Sequence, residues 1–137
     1  MQDLPDFQQE ISRLLKEGRR AEALRFAEAC IEKARAENQV VWVETLTAFA
    51  LVVAEATGDV ALVKQYAERA FCGPPERPAG KARALFAIAD VLFRNGDTGS
   101  AKQHAAMSYA LVAHGDTESE RSLRDLILYK WPKVAEW

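Results

Sequence analysis

The sequence predicts an all-α protein assembled from helical hairpins. Alanine, the residue with the highest helix propensity, is the commonest of the 137 residues, and β-branched residues are few outside the valine-rich stretch 40–63. A Gly-Asp pair recurs at 58–59, 96–97 and 115–116. In each pair the glycine is suited to end one helix and the aspartate to cap the next. Because almost no residues lie between the two, consecutive helices are expected to pack antiparallel.

Apolar periodicity and the breaks between apolar runs predict seven helices. They cover residues 5–17, 20–37, 40–56, 59–71, 82–94, 97–114 and 117–131. The third is apolar almost all round, which predicts a central helix buried on several sides. Residues 72–81 contain three prolines and two glycines and are predicted to form a loop. Thr117 with Glu120 matches a capping box and marks the start of the seventh helix.

The predicted corners repeat at an even spacing. Gly18, Gly58 and Gly96 stand 40 and 38 residues apart, a period typical of solenoids. Five residues and nine residues after each glycine, the sequence has a small or apolar residue. Eight residues after each glycine, it has a residue with a ring in its side chain. These positions are Ala23, Val63 and Ala101, then Ala27, Ala67 and Ala105, then Phe26, Tyr66 and His104. One hairpin is therefore expected to occur three times.

This pattern resembles the tetratricopeptide repeat (TPR), with its Gly-Asp corner and its alanine and aromatic positions in the second helix. Pro75 fits the proline that often follows a repeat, whereas Arg19 and His104 depart from the pattern. The resemblance implies a right-handed α-solenoid of three antiparallel hairpins and a C-terminal capping helix. The implied repeats cover 4–38, 40–75 and 80–114, and the cap covers 117–131, within one domain of residues 1–137. A generic helical bundle is the alternative.

Composition argues against several classes of partner. The net charge is −2, the pI is about 5.7, and the basic residues are scattered, which disfavours nucleic acid. The first residues lack the pattern of a secretory signal, and the longest apolar segment, 46–54, is short for a membrane span. Cys30 and Cys72 do not form a disulfide framework. We therefore expect a cytoplasmic protein with no membrane partner.

Chemistry-bearing residues are sparse in this sequence. No nucleophile elbow, phosphate loop or dinucleotide motif occurs, and His104 and His114 do not share a helical face as a metal pair would. Cys30 occupies a small-residue core position, and Cys72 has no neighbouring base that would activate it. The expectation is a protein that is not an enzyme and that holds no cofactor and no metal.

The predicted binding site is a concave surface lined by the first helix of each hairpin. On the fifth helix, the side facing the core carries Leu85, Ile88, Ala89 and Leu92. The opposite side carries Arg83, Phe86, Asp90, Phe93 and Arg94, and other first helices contribute Leu15, Thr45, Phe49 and Val52. Two phenylalanines between charges indicate a groove for a helix or an extended peptide. The alternative is that the seventh helix or the loop 72–81 covers these rings.

The C-terminal tail, residues 131–137, spaces Trp131, Val134 and Trp137 three residues apart. The tail is expected to fold onto the last helix or to engage a second copy in a homodimer. The function that fits best is a bacterial adaptor, assembly factor or small chaperone, similar in length to the three-repeat chaperones of type III secretion. The carboxylate clamp of some co-chaperone TPR domains is absent. A regulatory peptide- or ligand-sensing module and a self-associating structural subunit are the alternatives.

Overall fold

The protein is all-helical, as predicted. The structure, a computed structural model, describes residues 4–71 and 77–137. It contains helices α1 (Leu4–Lys16), α2 (Arg20–Ala36), α3 (Val40–Thr57), α4 (Val60–Phe71), α5 (Pro78–Arg94), α6 (Thr98–Val112) and α7 (Glu118–Lys130), followed by a 3-10 turn, η1 (Val134–Glu136). No strand occurs in these two ranges.

The helix bounds agree closely with those predicted from sequence, except at the start of α5. That helix begins at Pro78, so the prediction of a loop through residue 81 is wrong. Proline suits the first turn of a helix because its missing N–H would have had no partner there. Residues 72–76, which include Cys72 and Pro75, lie outside the described residues, and so do the predictions made for them.

Residues Met1–Thr57 form one compact unit, the N-terminal unit, in which α2 packs against both α1 and α3. Phe7 lies at its centre. The Phe7 ring stacks on Phe26 with 5.6 Å between centroids and meets Phe49 edge-on at 5.5 Å. Ala23 and Ala27 of α2 are fully buried, and their small side chains let neighbouring helices approach closely.

Helix α3 is less buried than its sequence predicts. Leu46, Ala50 and Val53 are buried, but Val41 is 74% exposed and Val52 is also exposed. Within the described ranges, α3 is the one helix long and apolar enough to cross a membrane by length and composition, although only 33% of it is buried. The sequence-based estimate considered only the uninterrupted apolar segment 46–54 and therefore gave too short an apolar length for α3. The core helix of a soluble protein passes the same test, so it does not assign α3 to a membrane.

Residues Gly58–Trp137 form the C-terminal unit, in which α5 and α6 pack as a closely apposed hairpin. The Ser108 hydroxyl, fully buried on α6, donates to the Ala82 carbonyl oxygen of α5 over 2.6 Å. Helix α4 packs against α5, while α7 and η1 close the other side. The shared core contains Ala82, Phe86, Ala89, Leu92, Ala101, Ala105, Val112, Leu123, Ile127, Trp131 and Val134.

The three evenly spaced glycines form left-handed corners, as predicted. Gly18, Gly58 and Gly96 have φ of +73°, +77° and +87°. The Asp59 and Asp97 carboxylates accept hydrogen bonds from the first-turn amides of Leu62 and Ser100, 3.3 and 3.2 Å away. Each aspartate therefore caps its helix.

The Gly115 corner does not follow this rule, since its φ is not in the left-handed region. Helix α6 ends at Val112, and Arg124 of α7 closes it from outside. Its Nη1 lies 2.9, 3.2 and 3.0 Å from the carbonyl oxygens of Val112, Ala113 and Gly115. A cation near the last carbonyls of a helix also suits the helix dipole. At the start of α7, Thr117 accepts from the amide of Glu120 over 3.1 Å, as predicted.

A further left-handed corner, missing from the sequence-based prediction, lies at Asn38. This residue has φ of +56°, and the next amide, that of Gln39, donates to the Ala34 carbonyl oxygen over 2.9 Å. The same six-residue closure joins the Asp97 amide to Leu92 over 3.0 Å. Asparagine is the residue after glycine that tolerates this conformation best, so it ends α2 without a glycine.

The first corner replaces an aspartate cap with an ion-pair network. Arg19 makes no side-chain cap on α2. Its guanidinium instead pairs with Glu17, 3.0 Å away at the end of α1, and with Glu22 in the first turn of α2. Hydrogen bonds from Arg19 lower the pKa of both carboxyl groups. Arg13 extends the network by pairing with Glu17 over 3.1 Å.

Candidate partner-binding surface

Helix α5 is buried on two sides rather than one. Ala89 and Leu92 are buried as predicted, whereas Leu85 and Ile88 are only partly buried. Phe86, which was expected on an open face, is 6% exposed. That expectation is wrong because α7 packs on this side of α5 and contributes Leu123 and Ile127 to the cluster around the ring. The predicted alternative, cover by the seventh helix, describes Phe86 correctly.

The C-terminal end of the same face remains accessible. Phe93 is 48% exposed, and beside it the Asp90 carboxylate lies between two cations. Its Oδ1 is 2.5 Å from Lys130 Nζ of α7, and its Oδ2 is 3.6 Å from Arg94 Nε. The Lys130 contact is an ion pair by distance, without the alignment of a directed hydrogen bond. It joins α5 to α7 beside the exposed ring.

Arg83, at the other end of this face, is partly buried. Its guanidinium lies 5.7 Å from the centroid of the Phe86 ring, within the range of a cation–π contact. Arg83 and Phe86 therefore contact each other, whereas Phe93 and Arg94 are exposed and the Asp90 side chain is only 15% exposed.

The tail folds onto the C-terminal unit and builds an aromatic surface with Phe93. Trp131 and Val134 are buried, and η1 packs against α6. The Trp131 ring meets Phe93 edge-on at 5.2 Å and Trp137 edge-on at 5.8 Å between centroids. Trp137 is 47% exposed. We call Phe93, Trp131 and Trp137 the aromatic ledge: two half-exposed rings on either side of a buried one.

Cations border the aromatic ledge. Lys102 of α6 places its Nζ 5.2 Å from the centroid of the Trp137 ring, in a cation–π contact. Lys130 lies immediately before Trp131 in the chain and pairs with Asp90. The indole nitrogen of Trp131 is buried and has no hydrogen-bond acceptor in the described part of the chain. Buried tryptophan N–H groups usually have one, so this donor is unusual.

The other four predicted residues belong to the N-terminal unit. Phe49 is half-buried and packs edge-on against Phe7, so it contributes to the core of that unit. Leu15 and Thr45 are half-buried, and the Thr45 hydroxyl donates to the Val41 carbonyl oxygen over 2.9 Å. Val52 is the most exposed of the four. A depression of about 450 Å³ in this unit is lined, among the described residues, by the polar side chains of Gln8, Gln9, Ser12, Arg13 and Lys16 of α1.

The remaining titratable residues are spread out. His104 is half-buried, with Nδ1 2.8 Å from the Ser100 carbonyl oxygen one turn earlier. Burial raises the pKa of the Cys30 thiol, which disfavours the reactive thiolate. In residues 4–71 and 77–137, no three His, Cys, Asp or Glu side chains converge as metal ligands would.

Comparison with family models, with curated proteins and with solved structures finds no match for this chain.

Proposed function

We propose that this protein is a TPR-like helical-repeat protein that binds a segment of a partner protein and works in the cytoplasm as an adaptor, assembly factor or small chaperone. The repeat would be a right-handed α-solenoid of three hairpins closed by α7. Equivalent positions of the three repeats support it. Ala23, Val63 and Ala101, with Ala27, Ala67 and Ala105, are all essentially inaccessible to solvent. Buried small residues at matching positions are what repeated close helix packing requires.

The aromatic ledge is the observation that favours a binding role. Large aromatic side chains on an accessible surface dominate the energetics of many protein interfaces, because they remove much apolar area from water when a partner covers them. Phe93 and Trp137 are each about half-exposed, and the charged groups of Asp90, Arg94 and Lys102 border them. An apolar patch with a charged rim matches the composition of protein interfaces.

Phe86 is covered by α7 and Arg83 contacts its ring, so the proposed contact surface on α5 consists of the exposed Phe93 and Arg94 with the largely buried Asp90 beside them. In the N-terminal unit the proposed partner surface consists of Leu15, Thr45, Phe49 and Val52. Of these, Val52 has the most area left for a partner to cover. Its substitution is therefore the most informative one in that unit.

Native co-purification of the tagged protein, quantified by mass spectrometry, tests this function. Wild type should retain one partner protein in stoichiometric amount, and Phe93→Glu should lose it because a charge would be forced into the apolar contact. Met107→Glu is the matched control, since Met107 of α6 is also 48% exposed. A partner that survives Phe93→Glu would remove the ledge from the site. The absence of any stoichiometric partner would contradict the binding function itself.

Self-association is the second candidate function. Tyr129 and Leu126 of α7 are exposed together with Trp137, which leaves apolar area on the last elements of the chain. Trp131 and Val134 are buried within the C-terminal unit, so a homodimer would use Trp137 and the outer side of α7. Sedimentation over a range of protein concentrations should then show a dimer that Trp137→Ala weakens. A monomer at all concentrations would eliminate this candidate.

A further inference from the structure

The charges around the aromatic ledge narrow the class of partner that it can accept. Resting on the proposed binding function, we propose that the ledge docks an acidic segment of a partner protein in which large apolar side chains are flanked by carboxylates. Three features of the C-terminal unit support this inference: the excess of cations, the geometry of the rings and the unmatched indole donor.

The rim of the ledge is positive. Lys102 and Lys130 contribute two cations and Asp90 contributes one anion, which leaves a net positive charge among these three side chains beside the rings. Lys130 pairs with Asp90, and its side chain is 39% exposed. A partner carboxylate could therefore approach Lys130 without displacing the existing pair. A lysine-rich segment would meet like charges, which disfavour binding.

The rings offer an apolar contact of definite shape. Because Trp131 meets both neighbours edge-on, at 83° and 75°, Phe93 and Trp137 are held at an angle to it with part of their surface accessible. An aromatic or large aliphatic side chain can pack against their exposed surface and add to the apolar area removed from water. The contact of Lys102 with the Trp137 ring places a cation at the edge of this position.

The Trp131 indole N–H adds a polar feature within the ledge. It is buried, it lacks an acceptor in the described ranges, and its ring contacts Trp137. A bound segment that displaced the half-exposed Trp137 ring could offer a backbone carbonyl to this donor. Binding would then satisfy a donor that has no acceptor among the described residues, which favours an occupant with a peptide backbone over an isolated apolar molecule.

A direct test uses the full chain and three short fluorescein-labelled peptides, capped at both ends. The first has two phenylalanines flanked by glutamates; the second replaces glutamate by lysine, and the third replaces phenylalanine by serine. Fluorescence anisotropy should show binding of the first peptide only, weakened by added salt because exposed charges are screened. Lys102→Glu and Trp137→Ala should each weaken it by about tenfold or more. Met107→Glu should change it by less than about twofold.

Equal binding of the lysine and glutamate peptides would overturn the acidic class, and so would unchanged binding by Lys102→Glu. No binding of the first peptide would overturn the docking site. These results are separable from failure of the proposed function. A co-purified partner lost with Phe93→Glu but retained by Lys102→Glu would leave the function intact and overturn the acidic partner. Peptide binding in the absence of any co-purified cellular partner would support the acidic docking site and contradict the proposed function.

Discussion

The two units of this protein differ in how far the large apolar side chains of their helices are buried. In the C-terminal unit, Phe86 is 6% exposed because α7 and the tail cover its side of α5. In the N-terminal unit, Val41 and Val52 of α3 remain exposed, and the described residues of that unit form α1, α2 and α3 without a further covering helix. A large apolar side chain on a helix can thus be buried in one unit and exposed in the other. The difference depends on what packs against the helix and is not encoded in the helix itself.

The units also differ in how they turn corners. The Gly96 corner is followed by an aspartate that caps α6 through the Ser100 amide. The Gly18 corner is followed by Arg19, which links Glu17 and Glu22 across the turn. The Asp97 carboxylate satisfies a backbone N–H donor of α6, whereas Arg19 joins exposed charges that are surrounded by water. We therefore expect the Asp97 cap to contribute more to stability and the Arg19 network to depend more on pH and salt.

The largest predicted effect tests whether α7 is a structural cover. Ile127→Ala should destabilise the C-terminal unit by about 2–5 kcal/mol, because it opens a cavity at a fully buried position. The adjacent Leu126→Ala, at an exposed position of the same helix, should change stability by less than about 0.5 kcal/mol. Urea unfolding followed by tryptophan fluorescence measures both. Similar losses for the two variants would mean that α7 does not cover the core as described.

The next effect concerns the closure of α6 by Arg124. Arg124→Met keeps most of the side-chain length but leaves the carbonyls of Val112, Ala113 and Gly115 without this donor. A loss of about 1–2 kcal/mol is expected for charge-assisted hydrogen bonds of this kind. Arg124→Lys should recover part of it, because the cation still suits the helix C-terminus. Thermal unfolding of the three proteins should follow that order, and an Arg124→Met variant as stable as wild type would contradict the proposed closure.

A smaller effect, with a change of sign, tests the left-handed corner. Gly96→Ala should destabilise the protein by about 1 kcal/mol, because an L side chain is strained at φ of +87°. Gly99→Ala lies only three residues later, inside α6, where an added Cβ meets nothing within 4 Å. It should stabilise the protein by about 0.5 kcal/mol through helix propensity and reduced freedom of the unfolded chain. Chemical denaturation measures the change in stability of each variant, and the two changes should have opposite signs.

Local features explain why so much of the helix pattern was predictable from sequence. Apolar periodicity follows from 3.6 residues per turn, and the corners at Gly18, Gly58 and Gly96 follow from a conformation that glycine adopts without a steric cost. Asn38 adopts the same conformation, but asparagine is also common on exposed surfaces, so its sequence signal is weaker. Pro78 was misassigned because a proline that begins a helix and a proline in a loop look alike when prolines cluster.

Features that depend on distant parts of the chain were not predictable in this way. Burial of Phe86 requires Leu123 and Ile127, and closure of α6 requires Arg124, which lies beyond an intervening turn. The sequence left two alternatives for the side of α5 that carries Phe86, an open face or a covered one. Only the packing of α7 decides between them. For the aromatic ledge, the available sequence signal was the spacing of Trp131 and Trp137, whereas the contact of Trp131 with Phe93 could not be predicted from it.

The smallest predicted effect concerns the Arg19 network and its dependence on pH. Hydrogen bonds from Arg19 lower the pKa of Glu17 and Glu22 in the folded protein. A carboxyl group with a lowered pKa contributes stability above its unfolded-state pKa, and that contribution is lost as pH falls through the folded-state pKa. Wild type should therefore be slightly more stable than Arg19→Gln at neutral pH, and the two should converge in acid. The difference at neutral pH should shrink with added salt, because the groups are exposed.

Carboxyl titrations by NMR measure this effect more directly than unfolding does. In Arg19→Gln, Glu17 and Glu22 should titrate at higher pH than in wild type, with a smaller change for Glu17, which also pairs with Arg13. Arg35→Gln is the control, since Arg35 pairs with Glu32 within α2 and does not span the corner. If Glu17 and Glu22 both titrate identically in wild type and in Arg19→Gln, the Arg19 network is not maintained in solution. The first corner would then be held by the left-handed conformation of Gly18 and by backbone hydrogen bonds such as the one from the Arg19 amide to the Leu14 carbonyl oxygen, 2.8 Å away.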